Sequence, residues 1–391
     1  MRILDLGEFY SERGGGVRSY LSGLLEASAA RGHEVVLLAP GPKDSDERVT
    51  GGRIVRYRAP HMPYDATYHL PYRLPLMRRW VKELAPDVLQ LSSPYLPWVA
   101  ASGLRAPVRS YVYHSDPIGA YVAPLAARWA TPLRGAAMDV AWRWMRTVCN
   151  SCDVTVVAGE WLRHELSRHG IERVRTVPFG IAHERFRPRP VADNVVINRS
   201  EEGSNEGPHV LLIAGRLAVE KRQAVLIRAV ARLRETRDVS LVVLGDGPEA
   251  GRLRALAERI LPHTRFIPFT RDVAEYADIL SRADALVHGS HCETYGFVLV
   301  EALASGTPLV VPDAGGAPQL ASGDAQATYA PGASEGEIAE AIARVLDRPR
   351  AQTRRAAREA AERHSSRERH YDELFELYGQ LQQQKAIAPA A

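Results

Sequence analysis

At 391 residues, 46% of them hydrophobic, the chain is long enough to form two domains with cores of their own. Lys and Arg number 50 against 46 Asp and Glu, a net +4 and a pI near 9.0, which is too mild an excess to argue for nucleic acid. The 3 cysteines exclude a disulfide framework and a four-cysteine zinc site, although Cys149-Asn150-Ser151-Cys152 is a C-x-x-C; with Cys292 they read as packing residues in a reducing cytoplasm.

The N-terminus enters a strand at once, Arg2 to Gly7, so no signal peptide is expected. Gly14-Gly15-Gly16 follow, then a helix from Val17 to Arg31 and a second strand from Glu34 to Ala39. Strand, glycine turn, helix and strand make the unit of a parallel sheet, whose ligand lies beyond the strand carboxyl ends. Three glycines opening a helix let a phosphate or sugar approach the backbone; a plain turn is the other reading. The only Asp-x-Asp, Asp44-Ser45-Asp46, falls in a polar loop from Lys43 to Arg48 and reads as a solvated charge run, so no metal is expected. Val88 to Leu104 is the longest uncharged run, but its prolines and serines rule out a membrane span.

Further strands are expected at Val88–Leu91, Val108–Tyr113, Val154–Ala158 and Val174–Val177, with a helix from Glu160 to His169. His114 stands at the carboxyl end of one strand, where α/β proteins gather polar groups; a satisfied core histidine is the alternative. Tyr121 to Val148 is rich in aromatics and arginine, with Trp129, Arg134, Trp142, Arg143, Trp144 and Arg146. Leu125, Trp129 and Leu133 share one helical face, as do Val140, Trp144 and Val148, with Pro132 between. Such a segment suits either an anionic membrane surface or two packed helices whose arginines reach water. Arg53, Arg56, Arg58, Arg73, Arg78 and Arg79, near Tyr72 and Trp80, add to the basic character of this half.

Residues 188–208 are polar and charged and read as a linker between a first domain, 1–187, and a second, 209–365. The second block alternates again: strand Val210–Ala214, turn Gly215-Arg216, helix Gln223–Arg237, strand Val239–Leu244, helix Glu249–Ile260, then strands at Arg265–Pro268, Ala283–His288 and Pro308–Val311. Glu335 to Gln384 is almost wholly helical in pattern and ends in an Ala/Pro tail. The fold class is therefore α/β, two Rossmann-like domains with parallel sheets.

The chemistry concentrates in the second block. Glu293 lies on the loop after a buried strand, and Glu301 lies one turn into a helix from Phe297 to Ala304. The helix N-terminus between them leaves backbone N–H groups unpaired and carries partial positive charge, so it can hold an anion. Arg216 and Lys221 occupy a strand-to-helix loop and supply cations: the planar guanidinium grips phosphate oxygens and the ammonium adds a point charge. A diphosphate leaving group needs them as negative charge builds on its bridging oxygen.

Taken together, Gly14-Gly15-Gly16, His114, Pro178 with Gly180 before Phe186-x-Pro188, Gly215-Arg216…Lys221, Gly245-Asp246-Gly247-Pro248 and the glutamates at 293 and 301 make the chain resemble a family-4 retaining glycosyltransferase of the GT-B fold (glycosyl transferases group 1) over nearly its whole length. Two stretches depart from the family pattern: Pro178-Phe179-Gly180-Ile181-Ala182 stands for Pro-Asn-Gly-Val-Asp, and Glu293-Thr294-Tyr295-Gly296 for Glu-Gly-Phe-Gly. The resemblance implies domains facing a central cleft that closes by hinge motion, with the C-terminal helix, residues 366–391, crossing back to the first. It implies that Glu301 binds the donor ribose, Glu293 holds hydroxyls of the transferred sugar, and Arg216 and Lys221 bind the diphosphate. Backbone N–H groups of Tyr295, Gly296 and Phe297 would assist, Gly15 and Gly16 would approach the phosphate, and His114 would touch sugar or acceptor.

The expected reaction moves a sugar from a nucleotide-diphosphate sugar to an acceptor hydroxyl with retention and without metal or cofactor. The leaving oxygen takes the acceptor proton on the same face, so catalysis rests on charge stabilisation and orientation. A covalent glycosyl–carboxylate on Glu293 is the mechanistic runner-up. The basic, aromatic first half leans the acceptor toward a membrane lipid or lipid-linked glycan, with the enzyme cytoplasmic at the inner membrane face. A soluble or polysaccharide acceptor, a nucleotide-sugar epimerase or sugar phosphorylase of the same fold, and a nucleic-acid-binding protein are the alternatives.

Overall fold

The computed structural model describes residues 1–11, 15–63, 65–127, 130–189 and 208–387. The chain divides into two compact units, residues 1–180 with the helix from Arg367, and residues 181–366. Most of the expected linker, Gly14, Trp129 and the end of the Ala/Pro tail lie outside the described residues.

The first unit runs β1 (Arg2–Leu6), α1 (Gly16–Ala30), β2 (Glu34–Gly41), β3 (Ser45–Val49), β4 (Gly52–Arg58), a small pair β5 (His61–Met62) and β6 (Asp65–His69), α2 (Leu74–Leu84), β7 (Val88–Leu91), α3 (Leu96–Ala101), β8 (Val108–Val112), α4 (Ala123–Ala126), α5 (Thr131–Asn150), β9 (Val154–Val157), α6 (Glu160–Arg168) and β10 (Val174–Thr176). Its eight-stranded sheet has the order β10-β9-β8-β7-β1-β2-β4-β3 and is parallel except for β3. Helices cover both faces of such a sheet, so its inner strands read as continuous apolar runs without alternation. β7 and β9 are buried along their whole length, and Cys149 and Cys152 pack into the same core as free thiols.

Lys43 to Arg48 corrects the expectation of a loop. Ser45–Val49 is an edge strand, antiparallel to β4, because β4 supplies cross-strand arginines to its carboxylates. Asp46 pairs with Arg53, Glu47 lies 3.4 Å from Arg56, and Asp44 takes the Arg58 N–H at 2.8 Å with Arg73 at 3.6 Å. The charged edge also discourages pairing with another chain. These arginines are neutralised in place and add little free positive charge to the unit.

The second unit contains β11 (His209–Ala214), α7 (Gln223–Arg234), β12 (Val239–Leu244), α8 (Ala250–Ile260), β13 (Arg265–Ile267), α9 (Val273–Arg282), β14 (Ala285–Val287), α10 (Phe297–Ala304), β15 (Leu309–Pro312), β16 (Gln326–Tyr329), α11 (Glu335–Leu346) and α12 (Arg350–Glu362). Its six strands, ordered β13-β12-β11-β14-β15-β16, are all parallel. Two helix starts are written in side chains: Asp272 accepts from Ala274 and Glu275 N–H at the head of α9, and Ser334 with Glu337 forms a capping box on α11. Ile181 N–H donates to Ser365 O at 3.0 Å, tying the two ends of the unit.

The last helix, α13 (Arg367–Ile387), belongs to the first unit, as the resemblance implies. His370, Tyr371, Leu374, Phe375 and Tyr378 form its buried face at helical spacing. Tyr371 O–H donates to Tyr20 O at 2.6 Å, and Tyr378 O–H reaches Gln90 Oε1 at 2.8 Å and Ser110 Oγ at 3.0 Å.

Candidate active site

β11 and β14 are neighbours in the second sheet, so the loops leaving their carboxyl ends open side by side. The first loop carries Arg216, a 3-10 turn from Val219 to Lys221, and Arg222, whose φ of 54° turns the chain into α7. The second carries His288, His291 and Glu293 and enters α10. Lys221 Nζ donates to Glu293 Oε2 at 2.6 Å. His288 Nε2 lies 3.2 Å from the same oxygen, without a well-formed hydrogen bond. Arg216 stands on the same loop as Lys221, half-buried, its carbonyl taking Gln223 Nε2–H at 2.7 Å.

Burial opposes charge on each of these groups, and the pairing decides the outcome. Burial alone would push the Glu293 carboxyl up; the Lys221 ammonium outweighs it and holds it well below the usual carboxylate range. Burial also pulls Lys221 down, and the Glu293 carboxylate more than reverses that. His288 is lowered by burial and His291 is pushed to about 4 by burial and Arg222, leaving both imidazoles neutral at pH 7. The site therefore holds a part-buried, ionised Lys–Glu pair beside neutral histidines.

The Glu293 loop is pinned from several sides. Gly316 N–H donates to Glu293 O at 2.8 Å, Tyr329 O–H donates to His288 O at 2.6 Å, and Arg222 Nη1 meets the His291 ring and Pro331 O. Gly296, at the head of α10, has φ 76°, and a Cβ there would meet Leu299 Cδ1 at 2.9 Å and Glu293 Cγ at 3.1 Å, so only glycine fits. No side chain caps this helix, Tyr295 packs edge-on against Phe297, and Glu301 takes a 2.8 Å hydrogen bond from Tyr276 O–H of α9. An uncapped helix start between two carboxylates and a lysine can hold a phosphate and hydroxyls together.

His288, Tyr276, Arg222 and Gly316 were not singled out from the sequence. His288 could have been: it follows a buried strand as His114 does, and the argument that selected one selects the other.

In the first unit, His114 follows β8, half-buried, its ring 4.6 Å from Tyr20 and 5.7 Å from Phe179. Phe179, which departs from the family pattern, thus serves as an apolar wall for His114. Burial pushes the imidazole down to about 3, so it is neutral. Gly16 opens α1, with Gly15 before it and no capping side chain among the described residues. Arg134, Trp142, Arg143, Trp144 and Arg146 all lie on α5. Trp142 stacks flat on His169 at 3.5 Å, and Trp144 sits edge-on to Trp98 at 4.7 Å. Leu133 and Val140 are exposed at 62% and 63%. Among the described residues no helix is long and apolar enough to cross a membrane.

Two parallel-sheet units of this kind are those of the GT-B fold. Residues 196–364 match the family Glycosyl transferases group 1, and residues 14–185 match Glycosyltransferase Family 4. Over 368 residues the chain is 32% identical to the GDP-mannose-dependent alpha-(1-6)-phosphatidylinositol dimannoside mannosyltransferase of Mycobacterium tuberculosis, covering 93% of this chain and 92% of that one. Over 327 residues it is 29% identical to a GDP-mannose-dependent alpha-mannosyltransferase of Corynebacterium glutamicum, covering 81% and 73%. Sucrose-phosphate synthase of Thermosynechococcus elongatus shares the fold, with a TM-score of 0.77 at 20% identity over 97% of this chain and 98% of that one. The protein belongs to the family-4 glycosyltransferases and transfers a sugar from a nucleotide-sugar donor.

Proposed function

We propose that the protein transfers mannose from GDP-mannose, with retention and without a metal ion, to a hydroxyl of a lipid-linked acceptor at the inner face of a membrane. The observation that carries this reading is the part-buried Lys221–Glu293 pair beyond the strand ends of the second unit. The relatives' dependence on GDP-mannose, and the action of one on a phosphatidylinositol dimannoside, support the donor and the acceptor class.

Lys221 and Arg216 take the diphosphate and stabilise the charge that develops as the sugar leaves, the task a divalent cation would otherwise perform. Glu293 orients hydroxyls of the transferred sugar, and the ion pair rearranges as the donor's phosphate arrives beside Lys221. Glu301 binds the ribose, with Tyr276 holding one of its oxygens, and backbone N–H groups of Tyr295, Gly296 and Phe297 support the phosphate. For Gly15, Gly16 and His114 of the first unit, the family resemblance implies phosphate and sugar or acceptor contacts. The leaving oxygen removes the acceptor proton on the same face, so no protein nucleophile is needed. A covalent intermediate on Glu293 fits less well, because an oxygen already bound by Lys221, on a carboxyl so strongly acidified, is a weak nucleophile.

A screen of GDP-, UDP- and ADP-sugars with a mannosylated phospholipid acceptor, with and without EDTA, tests the reading. GDP-mannose alone should support transfer, EDTA should not slow it, and donor without acceptor should stay unconverted. Transfer from a UDP-sugar only, a metal requirement, or donor epimerisation without acceptor would each overturn it.

The membrane side rests on α5. Arg143 and Arg146 have no ion pair among the described residues, and with Arg168, Asp139, Trp142 and His169 they line a shallow groove of about 420 Å³. Trp144, Val140 and Leu133 lie exposed on the same helix. Basic groups beside exposed apolar ones suit anionic lipid, each arginine adding about 1 kcal/mol near the surface. Sedimentation with phosphatidylserine vesicles should fall at least tenfold in R143A/R146A and at high salt; no binding by the wild type at low salt refutes this surface.

A further inference from the structure

Asp5 lies wholly buried one residue before the carboxyl end of β1, and the proposed transfer chemistry gives it no task. A carboxylate without a cation is expensive to bury. Its hydrogen-bond partners are neutral: Gln90 Nε2–H and Ser92 Oγ–H both donate to Oδ2 at 2.7 Å, while Oδ1 has no hydrogen-bond partner among the described residues. Gln90 Oε1 accepts from Tyr378 O–H of α13 at 2.8 Å, and Ser92 Oγ lies 3.3 Å from His114 Nε2. A single line of hydrogen bonds thus runs from the C-terminal helix through the sheet to the candidate histidine.

The direction of each bond follows from counting protons. A carboxylate only accepts, so Ser92 must give its one hydroxyl proton to Asp5. Ser92 Oγ then has only lone pairs to offer His114, and the imidazole must carry its hydrogen on Nε2. With the ring neutral, as its burial dictates, Nδ1 is the unprotonated, accepting nitrogen. Tyr20 and Phe179 pack on the ring and hold its plane.

We propose that Asp5, acting through Ser92, fixes His114 in the Nε2–H tautomer, so that Nδ1 is the nitrogen able to accept a hydroxyl hydrogen from sugar or acceptor. Asp5 and Ser92 are positioning residues; Gln90 and Tyr378 hold Asp5 in register. The role of the accepting nitrogen rests on the assignment of His114 to the transfer site, whereas the tautomer does not.

The test separates the two. Nitrogen-15 NMR of the full chain labelled at histidine, with the His114 signals assigned by their loss in His114→Gln, should show Nε2 protonated and Nδ1 bare in the wild type. Ser92→Ala should shift this signature toward a mixture and lower kcat while leaving donor KM nearly unchanged. Ser92→Thr should restore both. A wild-type ring protonated on Nδ1, or a signature unmoved in Ser92→Ala, overturns the relay; the wild-type spectrum decides even if the variant does not fold. Full turnover in His114→Gln would instead remove His114 from the transfer site while the spectra still judge the relay.

Discussion

Both units bury carboxyl groups near the ends of their parallel strands, and they treat them in opposite ways. In the second unit Glu293 meets an ammonium, and its acidity is driven well below the usual carboxylate range despite burial. In the first, Asp5 and Glu8 meet only hydroxyl and amide donors among the described residues; burial dominates and pushes them up to about 6 and about 7. Ser92 and Gln90 serve Asp5, and Ser93 serves Glu8. A carboxylate with a cation keeps a fixed charge, as a site for an anionic leaving group requires, while one held by hydroxyls orients its neighbours and stays sensitive to pH.

The largest effect should come from splitting the pair in the second unit. Lys221→Met leaves Glu293 a part-buried anion beside a neutral imidazole, so stability should fall by about 1–3 kcal/mol and kcat by about 10²–10³. Adding Glu293→Gln should recover most of the melting temperature and none of the turnover. If the single variant melts like the wild type, the two groups do not hold each other as described.

Glu8 offers the converse. A carboxyl raised on folding binds its proton more tightly when native, so its penalty is absent below the unfolded value near 4.5 and complete above about 7. At about 1.4 kcal/mol per pKa unit the penalty is roughly 3 kcal/mol above pH 7. Glu8→Gln should therefore raise the melting temperature by several degrees at pH 8 and leave it nearly unchanged at pH 4.5. A variant that gains nothing at pH 8 would show that Glu8 is charged without cost and would erase the contrast between the units.

The smallest effect belongs to Tyr276. Losing its hydrogen bond to Glu301, worth about 1 kcal/mol, should raise the donor KM about fivefold in Tyr276→Phe with kcat nearly intact. A fall in kcat at constant KM would move Tyr276 from donor binding to the chemical step.

Much of this was legible in the chain. Buried parallel strands declare themselves as short apolar runs: Val88–Leu91 and Val239–Leu244 match the structure end to end, as does the helix Phe297–Ala304. Glu293 and Lys221 could be paired on paper because each stands on a loop that follows a strand. What escaped was what long-range partners decide. The acidic run from Asp44 became part of a strand only because β4 offers arginines across the ladder. β16 has no apolar run of its own, and α9 could have been read from its cap, Asp272. Asp5 looks like a polar interruption in an apolar strand until Ser92, 87 residues on, is seen beside it.

The central claim is that the cations and carboxylates of the second unit hold one nucleotide-sugar. Thermal denaturation of the wild type and Lys221→Ala, in EDTA, with GDP-mannose, GDP and UDP-glucose, tests it most directly. GDP-mannose should raise the wild-type melting temperature by several degrees and leave Lys221→Ala unmoved. A shift that survives the loss of Lys221, or a wild type that responds to no nucleotide-sugar, would contradict the account.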